Sequence, residues 1–433
     1  MTQRCNRTAS VAAAVVAAVL GVTHVPVAVA QEAGPSYGQS GRAPNDFGRG
    51  SFVFIPPLFS VFDRPRPEYE AKGISAGGFM LLPQLVLQSQ YDDNVYAANT
   101  GAENDIIFAY QPSFRVQSRW SRHLLGFEAY AFGEKFADEV AEDTFSSGGS
   151  VFGRYDLSRL DSFFANSGYR RESLSRTDPD NVGAQQPEVD SVFAKLGYAR
   201  GVTRLNVAAE AQIQRLDFRT AGQENRDRNE FRASTRIRYG LTARVNPYVE
   251  FAYLKRNYDI LDSNGLDRDT DEYSALAGVR IDFTGLLQGE VSAGFVRSEF
   301  ADPALSSVDS VAANASLVWN PTTKTSVLLN GSRQQTPTIQ AFSSTRVASN
   351  IQLRVEHELR QNTLLYIRGI FTNEEFEGTT RSDDFYGVDV GGEYLINEYV
   401  SLFLEAGQES RESSTPASDY DRSTVLLGTR LQF

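Results

Sequence analysis

From residue 78 to the C-terminus, hydrophobic and polar residues alternate with a period of two. In residues 227–241, Phe231 and Ile237 share one face, while Arg232, Arg236 and Arg238 share the other. A helix would spread these arginines over a broad arc, whereas a strand places all three on one side. The pattern recurs along the chain and predicts an all-β fold.

Eighteen segments with this alternation can be delimited. Most are about 12–16 residues long, more than the usual ~5–6 residues of a soluble strand, and tilted membrane strands need at least ~9–11 residues. An even number of strands is expected of bacterial single-chain barrels. The predicted strands are residues 78–92, 105–118, 123–137, 143–157, 162–174, 187–200, 203–219, 227–241, 245–259, 270–284, 286–300, 307–319, 323–335, 345–359, 362–375, 382–396, 399–411 and 419–433.

The links between these segments alternate in length. Short links, such as 119–122 and 242–244, alternate with long polar links, such as 176–186 and 261–269. Short turns on one rim and long loops on the other are typical of membrane barrels. A soluble sandwich also alternates hydrophobic and polar faces, but it gives no reason for alternating link lengths. We therefore predict a single transmembrane, antiparallel, up-and-down β-barrel of about 18 strands.

Aromatic residues near the predicted strand ends support a membrane barrel, because aromatic girdles lie at the two interfaces of such proteins. These residues are Phe79, Tyr91, Trp120, Tyr248, Phe283, Trp319 and Tyr399.

The N-terminus has the pattern of a secretory signal peptide. Arg4 and Arg7 precede an apolar run over residues 11–20, and Ala28-Val29-Ala30 is a small-residue cleavage site. The alternative is an uncleaved membrane anchor, which Pro26 disfavours. We predict a signal peptide over residues 1–30, a flexible, extended periplasmic arm over 31–77 and the barrel over 78–433. The arm can equally be a disordered leader.

Composition excludes several classes of function. The net charge is −12, which disfavours a nucleic-acid partner. With 3 His and 1 Cys the chain cannot form a zinc site of the Cys₂His₂ or Cys₄ type, and no phosphate loop is present. We therefore expect no catalytic residues, no cofactor and no metal, and predict that the protein is not an enzyme. Acids between Asp262 and Glu272 could suit Ca²⁺, but their spacing fits a solvated loop better.

The polar face of the predicted strands carries both signs of charge. It offers a hydrogen-bonding passage for a polar solute such as a saccharide; alternatively, it only hydrates the inner wall, as any wide barrel must. The arginines at 232, 236 and 238 could form an anion-selective strip, although pairing with acids on neighbouring strands is the favoured expectation. The lumen-lining candidates are Arg115, Glu128, Glu210, Arg232, Arg236, Arg238, Arg280, Glu290, Arg354 and Arg430.

The last residues alternate up to the terminal Phe433. This ending resembles the C-terminal signal of bacterial outer-membrane proteins, which the barrel-assembly machinery reads. The resemblance implies that outer-membrane lipids and this machinery are partners of the chain.

The beginning of the predicted barrel carries a second resemblance. Gly77-Gly78-Phe79 follows a proline-rich arm, and the first strand ends in Asp92-Asp93-Asn94-Val95-Tyr96. Together with the C-terminal alternation, this is similar to the outer-membrane family called putative β-barrel porin type two, over about residues 78–433. The resemblance implies export of an exopolysaccharide, together with a periplasmic polysaccharide-export protein. A plugged structural or adhesion barrel and a general diffusion porin remain the alternatives.

Overall fold

Eighteen antiparallel strands form one closed barrel in the computed structural model, which describes residues 60–181, 186–283, 285–340 and 342–433. Each strand pairs with the next along the chain, and the last pairs with the first. The predicted signal peptide and residues 31–59 of the predicted arm lie outside the described residues. No helix in the described ranges is long and apolar enough to cross a membrane.

The barrel strands are β2 to β19, preceded by a three-residue strand, β1. Their bounds are β1 Ile74–Ala76, β2 Phe79–Asp92, β3 Asp105–Ser118, β4 Leu124–Phe136, β5 Thr144–Asp156, β6 Asp161–Ser173, β7 Glu188–Val202, β8 Leu205–Phe218, β9 Arg228–Tyr239, β10 Val245–Tyr258, β11 Thr270–Phe283, β12 Leu287–Phe300, β13 Val308–Thr322, β14 Thr325–Thr336, β15 Arg346–Arg360, β16 Thr363–Phe376, β17 Ser382–Leu395, β18 Val400–Ser413 and β19 Tyr420–Gln432. Three 3₁₀ turns, Val140–Glu142, Glu224–Arg226 and Pro416–Ser418, lie in the long loops.

The predicted fold class is confirmed, and each predicted strand end lies within three residues of the observed one. The agreement has a physical basis, since the two faces of every strand meet different surroundings and a one-residue slip would exchange them. The links also divide into two rims. We call the end that carries the short links the short-turn rim and the other end the long-loop rim.

The barrel closes where β19 pairs with β2, from Thr424 opposite Asp92 to Gln432 opposite Gln84. Below this seam the amide of the terminal Phe433 donates to the carbonyl of Pro83 over 3.2 Å. Strand β1 then pairs with β2 where β19 has ended. Because an open strand edge in a bilayer leaves peptide groups without partners, β1 extends the closure to the rim.

The outer surface is an apolar band between two sets of aromatic contacts. At the short-turn rim, Tyr399 packs against Phe433 with ring centroids 5.6 Å apart. Towards the long-loop rim, Tyr253 packs against Tyr273 at 5.2 Å. The predicted girdle is therefore present, with one correction. Tyr248 is only 4% exposed and lies on the inner face, because Val249 and Phe251 of β10 face outward and the faces of a strand alternate.

Beyond the aromatic contacts at the long-loop rim, the outer face becomes charged. Lys255 lies 3.5 Å from Asp271, and Arg297 lies 3.2 Å from Asp309. Because charged side chains are unfavourable against lipid, these ends of the strands extend past the hydrocarbon. This explains why the strands are longer than the membrane requires.

The seam generates a prediction about Phe433. A chain that ends at Gln432 loses both the hydrogen bond to Pro83 and the contact with Tyr399, and we expect the amount of assembled barrel in cells to fall several-fold. Heat-modifiable electrophoretic mobility measures the assembled fraction. Trp319→Ala is the matched control, since it removes a half-exposed aromatic residue from the same rim but leaves the seam intact. Equal assembly of the truncated chain and this control would contradict the prediction.

Candidate functional site in the barrel lumen

All ten predicted lumen residues lie on the inner face of the barrel. The strand register places Arg115 opposite Glu128 and Arg280 opposite Glu290, so that each pair projects to the same side. Burial differs among them: the side chain of Arg115 is 45% exposed, whereas that of Glu290 is 3% exposed. Their contact with a passing solute stays a prediction. The ten residues are Arg115, Glu128, Glu210, Arg232, Arg236, Arg238, Arg280, Glu290, Arg354 and Arg430.

Ion pairs connect most of these residues. Arg236 lies between two acids, 2.6 Å from Glu250 and 2.7 Å from Glu290. The other pairs are Arg115–Glu128 at 2.9 Å, Lys195–Glu210 at 3.0 Å, Arg354–Glu356 at 3.0 Å and Arg430–Glu393 at 2.5 Å. Removing one partner from a buried pair leaves a buried charge without compensation, which costs about 3–5 kcal/mol. The lumen wall is thus hydrophilic, with its positive charges held in place.

The arginines of β9 do not form a continuous positive strip. Arg236 is paired as described, but Arg232 has no carboxylate within 4 Å among the described residues, and it lies opposite Gln212 and Leu254. Arg232 is 8% exposed. Arg236 therefore follows the expectation of pairing, whereas Arg232 lies between two uncharged residues, one polar and one apolar.

Aromatic rings on the inner face lie over glycines of the adjacent strand. Tyr248 is directly opposite Gly278, and a Cβ atom at this glycine would lie 2.5 Å from the ring. Phe403 is directly opposite Gly428, where a Cβ would lie 2.2 Å from the ring. Since only glycine leaves this space, each ring lies against the wall instead of projecting across the lumen.

An arginine covers five of these rings. The guanidinium of Arg236 lies 4.4 Å from the ring centre of Tyr248, and that of Arg354 lies 3.9 Å from that of Tyr366. We call each set a glycine–aromatic–arginine stack. The five stacks are Gly126–Phe152–Arg115, Gly168–Phe193–Arg170, Gly278–Tyr248–Arg236, Gly391–Tyr366–Arg354 and Gly428–Phe403–Arg430.

The sequence analysis missed the stacks, although four of their five arginines were lumen candidates: Arg115, Arg236, Arg354 and Arg430. Their signal is a glycine paired with an aromatic residue across two strands, and this requires the register as well as the alternation. A stacked guanidinium gains cation–π energy of about 0.5–2 kcal/mol and keeps its planar donors fixed. The wall therefore presents preorganised hydrogen-bond donors beside carboxylate acceptors.

Residues 60–72, which we call the inner segment, lie inside the short-turn rim. The amide of Val61 donates to Ser326 Oγ over 2.8 Å, and that of Phe62 donates to Glu356 Oε2 over 3.1 Å. Val61 is fully buried and Phe62 is 6% exposed, in a cluster with Leu364. The segment therefore attaches to one side of the lumen wall.

Charged contacts extend this attachment to the rim. Arg66 lies 2.9 Å from Glu358, and Lys72 lies 2.7 Å from Glu398. The hydrogen bond from Lys72 holds the pKa of Glu398 below its ordinary value. The described part of the predicted arm thus differs from a flexible periplasmic extension, because its side chains find buried partners inside the barrel. It narrows the mouth at this rim.

At the long-loop rim, residues 174–187 connect β6 to β7; the structure describes residues 174–181 and 186–187 of this link, and we call residues 174–181 the crossing loop. Gln340 Nε2 donates to the carbonyl of Pro179 over 2.5 Å, Thr338 Oγ1 donates to Asp180 over 2.7 Å, and Arg411 donates to the carbonyl of Thr177. Residues 338 and 340 belong to the link before β15, which is nine strands from β6 in a ring of eighteen. The loop therefore spans the mouth and attaches to the opposite wall.

The acidic loop between β10 and β11 also joins this arrangement. Arg268 lies 2.8 Å from Asp262 and donates to the carbonyls of Thr338 and Ser343. Burial alone would raise the pKa of Asp262, but the amides of Leu266 and Asn264 and the guanidinium of Arg268 lower it below its ordinary value. The carboxylate that could have suited Ca²⁺ is thus engaged by the chain itself. No group of three potential metal ligands occurs among the described residues.

Comparison with known proteins identifies a family for this arrangement. The model of the family described as "Putative beta-barrel porin 2" matches residues 66–433. A comparison with curated proteins finds no match.

Solved structures give distant similarities. OpdK of Pseudomonas aeruginosa is 11% identical with a TM-score of 0.47, and the match covers 82% of this chain and 99% of that chain. OpdL of the same organism is 13% identical with a TM-score of 0.45, over 83% of this chain and 100% of that chain.

The stacks generate a prediction about stability. In Gly428→Ala the three atoms nearest to the added Cβ all belong to the ring of Phe403, which must leave the wall and take Arg430 with it. We expect the free energy of unfolding to fall by about 1–3 kcal/mol, as for overpacked cores. Urea unfolding of the refolded barrel in detergent micelles measures it. Gly369→Ala is the matched control, because nothing lies within 4 Å of its new Cβ; an equal loss in both variants would contradict the stack.

The inner segment generates a second prediction. Val61→Ala/Phe62→Ala removes its apolar attachment, and truncation of a buried phenylalanine costs about 3–5 kcal/mol. Arg64 and Arg66 each precede a proline, which blocks trypsin, so the probe is endoproteinase Glu-C, which cleaves after glutamate. We expect cleavage after Glu68 and Glu70 to be at least tenfold faster than in the parent protein, since a loss of ~1.4 kcal/mol already gives tenfold. Ile74→Ala, at a half-exposed position of β1, is the control and should cleave at the parent rate. Unchanged cleavage of the double variant would show that the segment is held by its polar contacts alone.

Proposed function

Since the chain belongs to the putative beta-barrel porin 2 family and its barrel lies in the bacterial outer membrane, we propose that it forms a pore that exports an exopolysaccharide. The short-turn rim then faces the periplasm, and the long-loop rim faces the exterior. The family resemblance supplies the class of solute and the direction. The lumen supplies a surface on which such a solute can move.

The observation that carries the proposal is the composition of the lumen wall. Saccharides are held through many hydroxyl groups, which need both donors and acceptors. The stacks offer planar guanidinium donors, of which Arg115 is 45% exposed, and Glu210, whose side chain is 24% exposed, offers acceptors. Because these groups are paired with one another, no single position binds a neutral sugar tightly. A chain of sugars can therefore exchange contacts as it moves.

The inner segment and the crossing loop obstruct the two mouths, which supports a pore that opens only during transport. A pore wide enough for a polymer would leak small solutes if both mouths stayed open. We propose that a periplasmic polysaccharide-export protein docks on the short-turn rim and displaces the inner segment. The two segments also favour the second candidate, a permanently plugged structural barrel, over a general diffusion porin.

Ion conductance in planar bilayers separates these candidates. We expect the parent protein to be mostly closed and the variant Val61→Ala/Phe62→Ala/Thr338→Ala/Gln340→Ala to conduct. This variant loses the apolar contacts of the inner segment at the short-turn mouth and two side-chain hydrogen bonds of the crossing loop at the long-loop mouth. A plugged barrel stays silent in both proteins, and a general diffusion porin conducts equally in both. Ile74→Ala again serves as the control and should behave as the parent.

Deletion of the gene tests the solute. We expect polymer to accumulate in the periplasm and to disappear from the cell surface, and expression of the parent chain should restore it. The measurement is a comparison of periplasmic and surface polysaccharide. Unchanged surface polymer would overturn the export function, even if the channel conducts.

A further inference from the structure

The tip of the crossing loop places an acid among arginines at the centre of the long-loop mouth. Asp178 Oδ1 lies 3.7 Å from Arg346, and Arg346 lies 3.4 Å from Glu374. Arg226, from the link between β8 and β9, interacts electrostatically with both Asp178 and Asp180. These groups come from separate parts of the ring of strands and meet only because the loop crosses the lumen.

The contact between Asp178 and Arg346 is incomplete. Both residues are 4% exposed. Oδ2 of Asp178 and Nε of Arg346 are buried without a hydrogen-bond partner among the described residues. A guanidinium and a carboxylate can form two parallel hydrogen bonds, but this pair forms none of that kind at 3.7 Å. A buried polar atom without a partner costs about 1–3 kcal/mol, so the loop holds its acid in a site that another carboxylate could fill better.

Arg226 adds a second donor group to the same site. Its guanidinium lies 4.3 Å from the ring centre of Phe218 and donates to Gln223 over 3.3 Å. No carboxylate of the described residues lies within 4 Å of it, although it is only 6% exposed. When Asp178 and Asp180 move away with the loop, Arg226 loses the acids that face it, and Arg346 keeps Glu374 and its electrostatic interaction with Asp383.

The tip of the loop is attached by polar contacts, as described above. Water or a polar ligand can replace such contacts, whereas it cannot replace buried apolar ones. Leu174, at the base of the loop, packs with Val189 and Leu216. The tip can therefore leave the site while the base stays in place.

From these observations we propose that Arg226 and Arg346 form a binding site for the carboxylate groups of an acidic saccharide, and that Asp178 occupies this site when no saccharide is present. The inference rests on the proposed function and narrows its solute to sugars that carry carboxylates. A carboxylate is favoured over other anions because the resident group is itself a carboxylate. An entering uronate displaces Asp178, the crossing loop leaves the mouth, and the polymer opens its own exit.

Binding of trigalacturonate to the full-length protein in detergent tests the site, with isothermal titration calorimetry as the readout and maltotriose as the neutral probe. We expect Asp178→Asn to bind trigalacturonate at least tenfold more tightly than the parent, because the internal competitor is lost. We expect Arg346→Gln and Arg226→Gln each to weaken binding at least tenfold. Glu103→Gln, an exposed acid of another long loop, is the matched control and should bind as the parent.

Equal affinity of Asp178→Asn and the parent would overturn the proposal, as would equal binding of the two sugars. Heat-modifiable mobility of every variant verifies that the barrel is assembled. Calorimetry needs no open channel, so it tests the site even if the protein never conducts. If the protein binds trigalacturonate but neither conducts nor supplies surface polymer, the proposed function is refuted and the binding site stands. If it conducts and exports but does not prefer the acidic sugar, the proposed function stands and the binding site is refuted.

Discussion

The whole structure depends on the requirement that every peptide group inside the bilayer finds a partner. A ring of strands meets this requirement only if its last strand returns to its first, and here β19 reaches only as far as Gln84 of β2. Pro83 lies at the next position and has no N–H to leave unpaired, while its carbonyl accepts the terminal amide of Phe433. Strand β1 pairs with the first residues of β2, Phe79 to Leu81. The two chain segments that flank the barrel are thus part of its closure, and this explains why the inner segment ends directly beside the seam, where β1 follows it.

Closure also determines the chemistry of the inside. Because the outer face contacts lipid, every second residue of a strand points into the lumen. The bulky aromatic rings on the inner face must therefore pack without filling the lumen. A glycine opposite each of these rings solves this packing problem, because the ring lies where a Cβ would otherwise be. The flat ring then supports a guanidinium, and the guanidinium attracts a carboxylate from the same or a neighbouring strand. The position of each charged group in these stacks therefore depends on the ring beneath it, and the position of the ring depends on the glycine, although glycine has no functional group of its own.

The sequence predicted the parts of this structure that depend on one strand at a time. Alternation reports which face a residue occupies, so the strands, the rims and the inward position of Arg236 could be found without coordinates. The stacks depend on which residues are opposite across two strands, and Tyr248 shows the limit: its place near a strand end suggested the outer girdle, but its pairing with Gly278 belongs to the inner wall. The inner segment has no period, because its residues bind an existing surface instead of forming a strand. The crossing loop was recognised as a long link, but its contact with Arg346 joins residues far apart in the chain.

The inner segment and the crossing loop are held in the two mouths of the barrel by different kinds of contact. This difference implies that the two mouths open in different ways. At the short-turn rim, Val61 and Phe62 bury apolar side chains, each worth about 1.5–3 kcal/mol, in addition to the backbone hydrogen bonds to Ser326 and Glu356. At the long-loop rim, the tip of the crossing loop relies on hydrogen bonds of about 0.5–1.5 kcal/mol each, offset by the buried Oδ2 atom of Asp178, which has no hydrogen-bond partner among the described residues. A solute that supplies its own polar groups can replace the second set of contacts but not the first. Under the proposed export function, the short-turn mouth therefore needs a protein partner to open it, whereas the solute itself can open the long-loop mouth, and this places control of the proposed export at the short-turn rim.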